Sequence, residues 1–270
     1  MPQMIDLGRH TVLGVRIAAV DYEAATEAVL AAAAKRQPMS LTCAAVHAIA
    51  LSAKDRACRH RLNSFDLIVP DGQPVRWALR WLHRVQLNDR VRGTDLLPHI
   101  CRGAAERGIP IYLYGSMPET VALLRKRLGE QFPKLRIAGS RPSLFRSATE
   151  QERLQIAQEI RSSGARIVFV GLGCPRQEIW IYENRDLLDM PLVGIGSAFD
   201  TNAGVIEQAP LWMQERGVEW LWRLRCEPRR LWRRYLFLNP LYLALLAAEK
   251  LRLTNFDDRI AAPPQPVRVA

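Results

Sequence analysis

Short runs of apolar residues alternate along the chain with longer segments in which apolar residues recur at helical spacing. Strands that alternate with helices in this way predict βαβ units and a mainly parallel sheet. The runs are continuously apolar, which is typical of strands covered on both faces. Five runs have strand length and are bounded by Gly, Pro or Asp: SLTC (40–43), FDLIV (65–69), IPIYLYG (109–115), RIVFVGLG (166–173) and PLVGIGSA (191–198). The helical segments cover residues 44–62, 94–107, 118–132 and 149–162.

The pattern changes near residue 208. Beyond this point the strand pattern ends, and the chain becomes helical and rich in Trp and Arg. We therefore predict a Rossmann-like α/β body over residues 1–208 and a helical, basic C-terminal appendage over residues 209–256. The last stretch, residues 257–270, is rich in Pro and has little to bury, which is typical of a flexible tail.

One segment of the appendage, EWLWRLRCEPRRLWRRYLFLNPLYLALL (219–246), joins a dense run of arginines to a nearly uncharged stretch. Pro228 suits a first helical position, and Asn239 with Pro240 is expected to separate two short helices. The second helix, to residue 253, would be roughly 21 Å long, too short to cross an apolar core of about 30 Å. We expect the segment to lie in a membrane interface with its arginines on lipid phosphates. The alternative is an amphipathic pair packed on the body, with solvated arginines.

The charge of the chain restricts its partners. Lys and Arg number 38 against 27 Asp and Glu, a net charge of +11, which favours nucleic acid, an anionic membrane or a phosphorylated substrate. The five cysteines show no CxxC spacing, which argues against a disulfide framework or a zinc site and fits a reducing compartment. The sequence shows no signal peptide and no spanning segment. We expect a cytoplasmic protein that associates peripherally with the inner face of the cell membrane.

Ligands of open parallel sheets bind at the carboxyl ends of the strands. Glycines there let the backbone approach a ligand, and helix N-termini offer N–H groups to a phosphate. GLGCPR departs from the dinucleotide fingerprint, because Arg176 stands at the third glycine, and no Walker A sequence occurs. Neither HxxxH spacing nor a GxSxG elbow is present, which argues against metal hydrolysis and serine-type catalysis. Four loops together favour an anionic ligand: VPDGQP (69–74), YGSMPE (114–119), VGLGCPRQE (170–178) and GIGSAFDT (194–201).

Asp71 is the first candidate for chemistry, because it directly follows an apolar strand. A carboxylate at a strand end is placed to accept a proton from an attacking hydroxyl, and a turn or N-cap role is the alternative. Thr42 ends the preceding strand, either as a plain strand residue or to orient a hydroxyl or phosphate. Asp200 is either a helix cap or a ligand contact. Gln177 and Glu178 open a helix, where capping by Glu178 is the alternative.

These motifs occur in the order of a known family. From residue 12 to residue 253 the chain resembles the WecG/TagA/CpsF glycosyltransferases. The segments that carry the resemblance are PDG (70–72), RVRGTDLLPHI (90–100), IYLYGSMPE (111–119), VFVGLGCPRQEIWI (168–181), GIGSAFDTNAGVIEQAP (194–210) and GVEWLWRLRCEPRRLWRRYL (217–236).

The resemblance implies a nucleotide-sugar-binding catalytic body. Its reaction would transfer a sugar from a UDP-sugar, of the hexose, N-acetylhexosamine or uronic acid type, to a polyprenyl-diphosphate-linked saccharide. The expected setting is bacterial surface or exopolysaccharide biosynthesis, and the reaction would be inverting, with no cofactor and no bound metal. The ending EPRRLWRRYLFLNPLYL (227–243) most resembles members that build exopolysaccharide repeat units, including β-glucosyltransferases.

By the same resemblance, the candidate catalytic residues are Asp71, as the proposed base, and Thr42, as the strand-end threonine. Two departures leave the donor sugar unassigned: Ala44 stands where the family commonly has Asn, and RPSLFR (141–146) replaces a glycine–aromatic pattern. Together with the glycine loops, the candidate substrate-binding residues are Gly72, Arg92, Gly93, Gly115, Ser116, Gly171, Gly173, Pro175, Arg176, Gln177, Glu178, Asp200, Arg223, Arg229 and Arg230.

Two other function classes fit parts of the sequence. The α/β pattern alone also fits a dinucleotide oxidoreductase, although the fingerprint is missing. The positive charge also fits a nucleic-acid-binding protein, but its concentration at one end beside an apolar helix favours lipid. The expected partners are therefore a UDP-sugar, a polyprenyl-diphosphate-linked acceptor and an anionic membrane, with no nucleic acid. The sequence leaves open whether the chain forms a homo-oligomer.

Overall fold

The structure is a computed structural model that describes residues 4–256, 263–267 and 269, except for the side chains of Arg230 and Arg234. The predicted tail, residues 257–270, lies largely outside the described residues. The strands are β1 (Asp6–Val12), β2 (Val15–Val20), β3 (Met39–Ala44), β4 (Leu67–Pro70), β5 (Ile111–Gly115), β6 (Ile137–Arg141), β7 (Ile167–Gly171) and β8 (Pro191–Gly194). The helices are α1 (Tyr22–Lys35), α2 (Val46–Lys54), α3 (Arg56–Asn63), α4 (Gln73–His83), α5 (Gly93–Glu106), α6 (Pro118–Gln131), α7 (Glu150–Ser162), α8 (Arg176–Asn184), α9 (Ala198–Asn202), α10 (Leu211–Glu215), α11 (Glu219–Cys226) and α12 (Pro228–Lys250).

Six strands form one parallel sheet in the order β4-β3-β8-β7-β5-β6. Alternate residues of a strand face opposite sides, so Ile111 and Leu113 pack in one core cluster and Tyr112 and Tyr114 in the other. Helices α1, α5, α6 and α9 contribute to the first cluster, and α2, α3, α4, α7, α8 and α12 to the second. Both faces of the sheet are covered, which explains the continuously apolar strands. The predicted Rossmann-like sheet is confirmed.

Three strands have no counterpart in the sequence-based prediction, and one predicted helix is wrong. β1 and β2 form an antiparallel hairpin, whose first strand is mostly exposed and carries no apolar run. β6 lies at the sheet edge and is only half-buried. The single helix predicted over 44–62 divides into α2 and α3 at Asp55, whose carboxylate accepts the N–H groups of Ala57 and Cys58. That N-cap starts a new helix.

Two strands end earlier than predicted. β7 ends at Gly171 and β8 at Gly194, whereas the apolar runs continue to residues 173 and 198. Gly173 and Gly196 have φ angles of +75° and +54°, which lie outside the extended region of regular strand backbone. The remaining glycines therefore form loops at the carboxyl edge of the sheet.

The C-terminal region is helical, as predicted, but its division at Pro240 is wrong. α12 runs through the proline for 23 residues, about 35 Å at 1.5 Å per residue. Pro240 lies on the exposed side of α12, so the hydrogen bond that it cannot donate is lost on a solvated face. Leu231 and Tyr242, on either side of it, are buried and hold both halves to the body. No helix among the described residues combines the length and apolar character needed to cross a membrane.

Side-chain hydrogen bonds dock α12 on the body. The Tyr242 hydroxyl donates to the carbonyl oxygen of Pro74, 3.3 Å away. Glu249 Oε2 accepts the backbone N–H of Leu13 at 3.0 Å, in the turn of the β1–β2 hairpin. Burial raises the pKa of Glu249, while the Leu13 hydrogen bond and the charge of His83 lower it. This docking places α11 beside the carboxyl edge of the sheet.

Candidate active site

The predicted loops meet at one edge of the sheet, because parallel strands present their carboxyl ends on the same side. Two adjoining cavities lie there. The loop cavity, about 330 Å³, is lined mainly by the loops that follow β5, β7 and β8. The helix cavity, about 130 Å³, is lined by the start of α5 together with α11 and α12. The residues that line both cavities are Ala45, Asp71, Ile195, Ser197 and Arg223.

Asp71 follows β4 and lies in the wall that the two cavities share. Its Oδ1 accepts the backbone N–H of Gly93, the first residue of α5, at 3.2 Å. The helix that follows Asp71 has Gly72 as N-cap and no side-chain cap, so the N-cap alternative on that helix is wrong. Gly93 leaves no room for a side chain, because a Cβ there would lie 2.9 Å from the carbonyl oxygen of Ile195. This close approach brings α5 against Asp71.

The electrostatic surroundings of Asp71 suit a proton acceptor. Burial raises the pKa of its carboxyl above the ordinary value of 3.8. The charge of Arg90 lowers the pKa, that of Glu219 raises it, and that of Arg223 lowers it again. A carboxylate with a raised pKa inside a cavity holds an accepted proton better than a solvated one, as a general base requires.

Arg90 and Glu219 are site residues that the sequence-based prediction missed. Arg90 Nη2 lies 2.5 Å from Glu219 Oε2, and Arg92 Nη1 lies 3.5 Å from the same oxygen. Arg92 also forms an ion pair with Asp95, whose Oδ2 lies 2.5 Å from Arg92 Nη2. Arg90 lies two residues before the predicted Arg92 in RVRG (90–93), and this proximity could have identified it as a site residue. Nothing local in the sequence pairs it with a residue 129 positions later.

Two of the predicted glycines, Gly171 and Gly173, line the loop cavity together with a hydrogen-bonded Ser–Asp pair; Gly115 lines neither cavity. Ser116 Oγ donates to Asp200 Oδ1 at 3.0 Å. Asp200 lies inside α9, whose N-cap is Ser197, so the helix-cap alternative for Asp200 is wrong. Gly115 has a φ of +114°, and a Cβ there would lie 2.8 Å from the carbonyl carbon of Gly171. The backbone of β5 and β7 therefore packs more closely here than side chains would permit.

Arg176 contributes positive charge to the loop cavity. Its Nη2 donates to Ser143 Oγ at 3.2 Å, and its guanidinium lies 5.7 Å from the centre of the Phe145 ring. Phe145 also lines the cavity. Both partners belong to RPSLFR (141–146), so the segment that departs from the family pattern lies at the loop cavity. The departure of this segment from the family pattern would therefore affect the ligand that binds in the loop cavity.

Thr42, Gln177 and Glu178 form a buried polar cluster next to the cavities. Thr42 is fully buried, and its Oγ1 donates to Glu178 Oε1 at 2.9 Å. Gln177 Nε2 donates to the same oxygen at 3.0 Å. Burial raises the pKa of Glu178, while these two hydrogen bonds lower it. Gln177 lines the loop cavity, but Thr42 lines neither cavity, so its predicted substrate contact stays a prediction.

The other predicted residues are divided between the cavities and the surface. Gly72 and Arg92 line the helix cavity. Pro175 is the N-cap residue of α8 and lines neither cavity. Arg229 is exposed and lines neither cavity. The Arg230 side chain lies outside the described residues.

A parallel α/β sheet with glycine loops, arginines and a buried carboxylate at its carboxyl edge is typical of enzymes that bind phosphorylated ligands. Over residues 10–256 the chain matches the profile described as "Glycosyl transferase WecG/TagA/CpsF family". The chain therefore belongs to the WecG/TagA/CpsF family of glycosyltransferases, and the resemblance in its sequence is confirmed. Family membership disfavours both the oxidoreductase and the nucleic-acid-binding hypotheses.

Two Bacillus enzymes are similar to most of this chain. Each is named N-acetylglucosaminyldiphosphoundecaprenol N-acetyl-beta-D-mannosaminyltransferase. The Bacillus subtilis enzyme is 32% identical over 204 residues, which cover 75% of this chain and 77% of the relative. The Bacillus spizizenii enzyme is 30% identical over 190 residues, which cover 70% of this chain and 71% of the relative.

Proposed function

We propose that this glycosyltransferase moves a sugar from a UDP-sugar to a polyprenyl-diphosphate-linked saccharide that ends in N-acetylglucosamine. The names of the two Bacillus relatives support this acceptor class. The donor is a UDP-linked hexose, N-acetylhexosamine or uronic acid, and the product enters a bacterial surface polysaccharide or exopolysaccharide.

The observation that carries the proposal is the position of Asp71 between two cavities. The loop cavity offers glycine backbone, the Ser116–Asp200 pair and Arg176 to a nucleotide diphosphate and its sugar. The helix cavity offers Arg90 and Arg92 to a second anionic substrate. A carboxylate in the shared wall reaches both substrates, as a transfer between them requires.

In the proposed reaction, the acceptor hydroxyl attacks the anomeric carbon from the face opposite the diphosphate. Asp71 accepts the proton of the hydroxyl as the new glycosidic C–O bond forms. The bond between the anomeric carbon and the diphosphate oxygen breaks, and UDP leaves with the electron pair. The anomeric configuration is therefore inverted.

Positive charge in the loop cavity stabilises the departing diphosphate. Arg223 lies in the wall shared with the helix cavity, and Arg176 begins α8. The N-termini of α6 and α8 meet the cavity through Met117 and Arg176, so free N–H groups and helix dipoles also favour negative charge there. We expect no metal to be needed, and full activity in EDTA would agree with this.

The outer face of α12 supports association with an anionic membrane. At 100° per residue, Trp232, Leu236 and Leu243 lie within about 40° of one another. Their exposed fractions are 44%, 62% and 61%, and Phe237, further round the helix, is 63% exposed. Around the helix axis, the exposed Arg229 and Arg233 lie between this apolar group and Phe237. Apolar side chains with flanking arginines on a solvent-facing helix are typical of helices that lie in a lipid interface.

A substrate panel tests the proposed reaction. Purified protein is incubated with UDP-sugars of the three classes and a polyprenyl-diphosphate N-acetylglucosamine acceptor, and products are followed by chromatography and by NMR of the anomeric proton. We expect one donor class to react, with release of UDP and inversion of configuration. Transfer with retention, or transfer that needs no lipid diphosphate, would contradict the proposal.

A binding titration provides a second check that needs no acceptor. We expect UDP to bind and NAD not to bind, because the loop cavity lacks the dinucleotide fingerprint. Binding of NAD with no affinity for UDP would revive the oxidoreductase hypothesis.

A further inference from the structure

In the helix cavity, one carboxylate of the chain itself forms ion pairs with two arginines. Glu219, the first residue of α11, has its Oε2 2.5 Å from Arg90 Nη2 and 3.5 Å from Arg92 Nη1. The arginine side chains are only 6% and 14% exposed. Two guanidinium groups that converge on one oxygen suit a phosphate group as well as a carboxylate.

The carboxylate and its arginines lie on different parts of the fold. Arg90 and Arg92 precede α5 in the body, whereas Glu219 begins a helix of the C-terminal region. Arg223, one turn further along α11, donates to Ser197 Oγ at 2.6 Å. An anion that took the place of the Glu219 carboxylate would therefore change how α11 is held to the body.

We propose that Glu219 competes with the diphosphate of the lipid-linked acceptor for Arg90 and Arg92, so that acceptor binding releases the start of α11. The identity of this ligand rests on the proposed function. The acceptor is favoured over the donor nucleotide because the helix cavity is also lined by Tyr235 and Leu238 of α12, the helix whose outer face is apolar and basic.

The exchange requires an incoming anion. If Glu219 leaves, Arg92 still has Asp95 as an acidic partner, because its Nε donates to Asp95 Oδ2 at 2.6 Å. Within the part of the chain that the structure describes, Glu219 forms the ion pair of the Arg90 guanidinium, and the Asp71 carboxylate, whose pKa Arg90 lowers, also interacts with it. A buried arginine without a partner is strongly unfavourable, so α11 stays docked until another anion reaches Arg90.

Calorimetric binding to the full-length protein tests the competition, with farnesyl diphosphate and UDP as separate ligands. Glu219→Gln should bind farnesyl diphosphate about tenfold more tightly than the wild type, because a close competing charge is removed. Its affinity for UDP should not change. Glu27→Gln is the matched control, since it breaks an exposed ion pair with Arg107, 2.5 Å long and 43% exposed on both sides; it should change neither affinity.

Hydrogen–deuterium exchange of the wild type needs no variant and tests the release of α11. Farnesyl diphosphate should increase amide exchange in residues 219–222, the first turn of α11, and UDP should not. The proposal fails if Glu219→Gln binds farnesyl diphosphate no more tightly than the wild type, if only UDP binds more tightly, or if exchange does not increase. If Glu219→Gln binds farnesyl diphosphate more tightly but the wild type transfers no sugar in the substrate panel, the proposed reaction is refuted. The competition between Glu219 and a diphosphate is then still supported.

Discussion

The body and the C-terminal helices form the two sides of the candidate site by different means. On the body side, glycine backbone forms part of the wall: Gly171 lines the loop cavity at a position where a Cβ would clash with Phe199, and Gly93 lets α5 approach Asp71. On the C-terminal side, charged side chains form it: Glu219 and Arg223 reach the site from α11. We therefore expect the body side to be sensitive to added volume and the C-terminal side to be sensitive to changes of charge.

Among the effects that distinguish the two sides, the largest is expected on the outer face of α12, where the C-terminal side meets solvent. The triple variant Leu236→Gln, Phe237→Gln and Leu243→Gln should weaken binding to anionic liposomes by more than about a hundredfold, because each apolar side chain contributes about 1.5–3 kcal/mol when fully buried. Sedimentation with liposomes measures this. Leu123→Gln with Leu154→Gln is the control on the body, at positions 44% and 46% exposed. An equal loss in both variants would contradict the proposed membrane role of α12.

Within the site, charge on α11 should matter most. Arg223→Met should lower kcat/KM about a hundredfold, the size of effect seen when one donor to a developing negative charge is removed. Arg225→Met is the control on the same helix, since Arg225 is exposed, lies 5.7 Å from the centre of the Trp222 ring and lines neither cavity. Steady-state kinetics of the two variants decide the point, and similar losses in both would show a general effect of charge.

Added volume on the body side should have a smaller effect, which falls on stability and donor binding. Gly115→Ala should lower the free energy of unfolding by about 1–3 kcal/mol and weaken UDP binding, because of its positive φ and the contact with Gly171. Gly129→Ala, in α6 with no atom within 4 Å of an added Cβ, should instead raise stability by up to about 1 kcal/mol. Urea denaturation and UDP titration measure both variants.

The smallest effect is a change in pH dependence. Because burial raises the pKa of Asp71, the acidic limb of kcat/KM should lie above its ordinary value of 3.8. Arg223→Met should move the limb further up, since the arginine lowers this pKa. A pKa raised by folding contributes stability that is present below pH 3.8 and is lost as the pH rises through the folded-state pKa. Asp71→Asn should remove this loss, and a limb at or below 3.8 would contradict the proposed environment.

The sequence predicted the parts of the fold whose pattern is local. The central strands are continuous apolar runs, and loops follow them at one edge of any parallel sheet, which is why Asp71 and the glycines were found together. β1 is mostly exposed and β6 is half-buried, so neither carries a continuous apolar run. β2 is buried, but Arg16 interrupts its apolar run. Pro240 was expected to break a helix that packing of Leu231 and Tyr242 keeps continuous.

The site was predictable only as far as its residues stand in motifs. Thr42 and Glu178 belong to separate motifs, and their hydrogen bond depends on how α8 packs against β3. The pairing of Arg90 with Glu219 depends on how the C-terminal helices dock on the body. The Arg90–Glu219 pairing contributes to the charge around Asp71, and both pairings arise from tertiary structure alone.

The central claim is that Asp71 accepts the proton of the attacking hydroxyl from its place between the two cavities. The direct test is the single-turnover rate of Asp71→Asn with saturating donor, beside Asp186→Asn, whose side chain is 90% exposed in the wild type. We predict a rate about 10²–10⁴-fold lower for Asp71→Asn, with UDP affinity intact and with Asp186→Asn like the wild type. A near-normal rate for Asp71→Asn with the donor bound would contradict the claim.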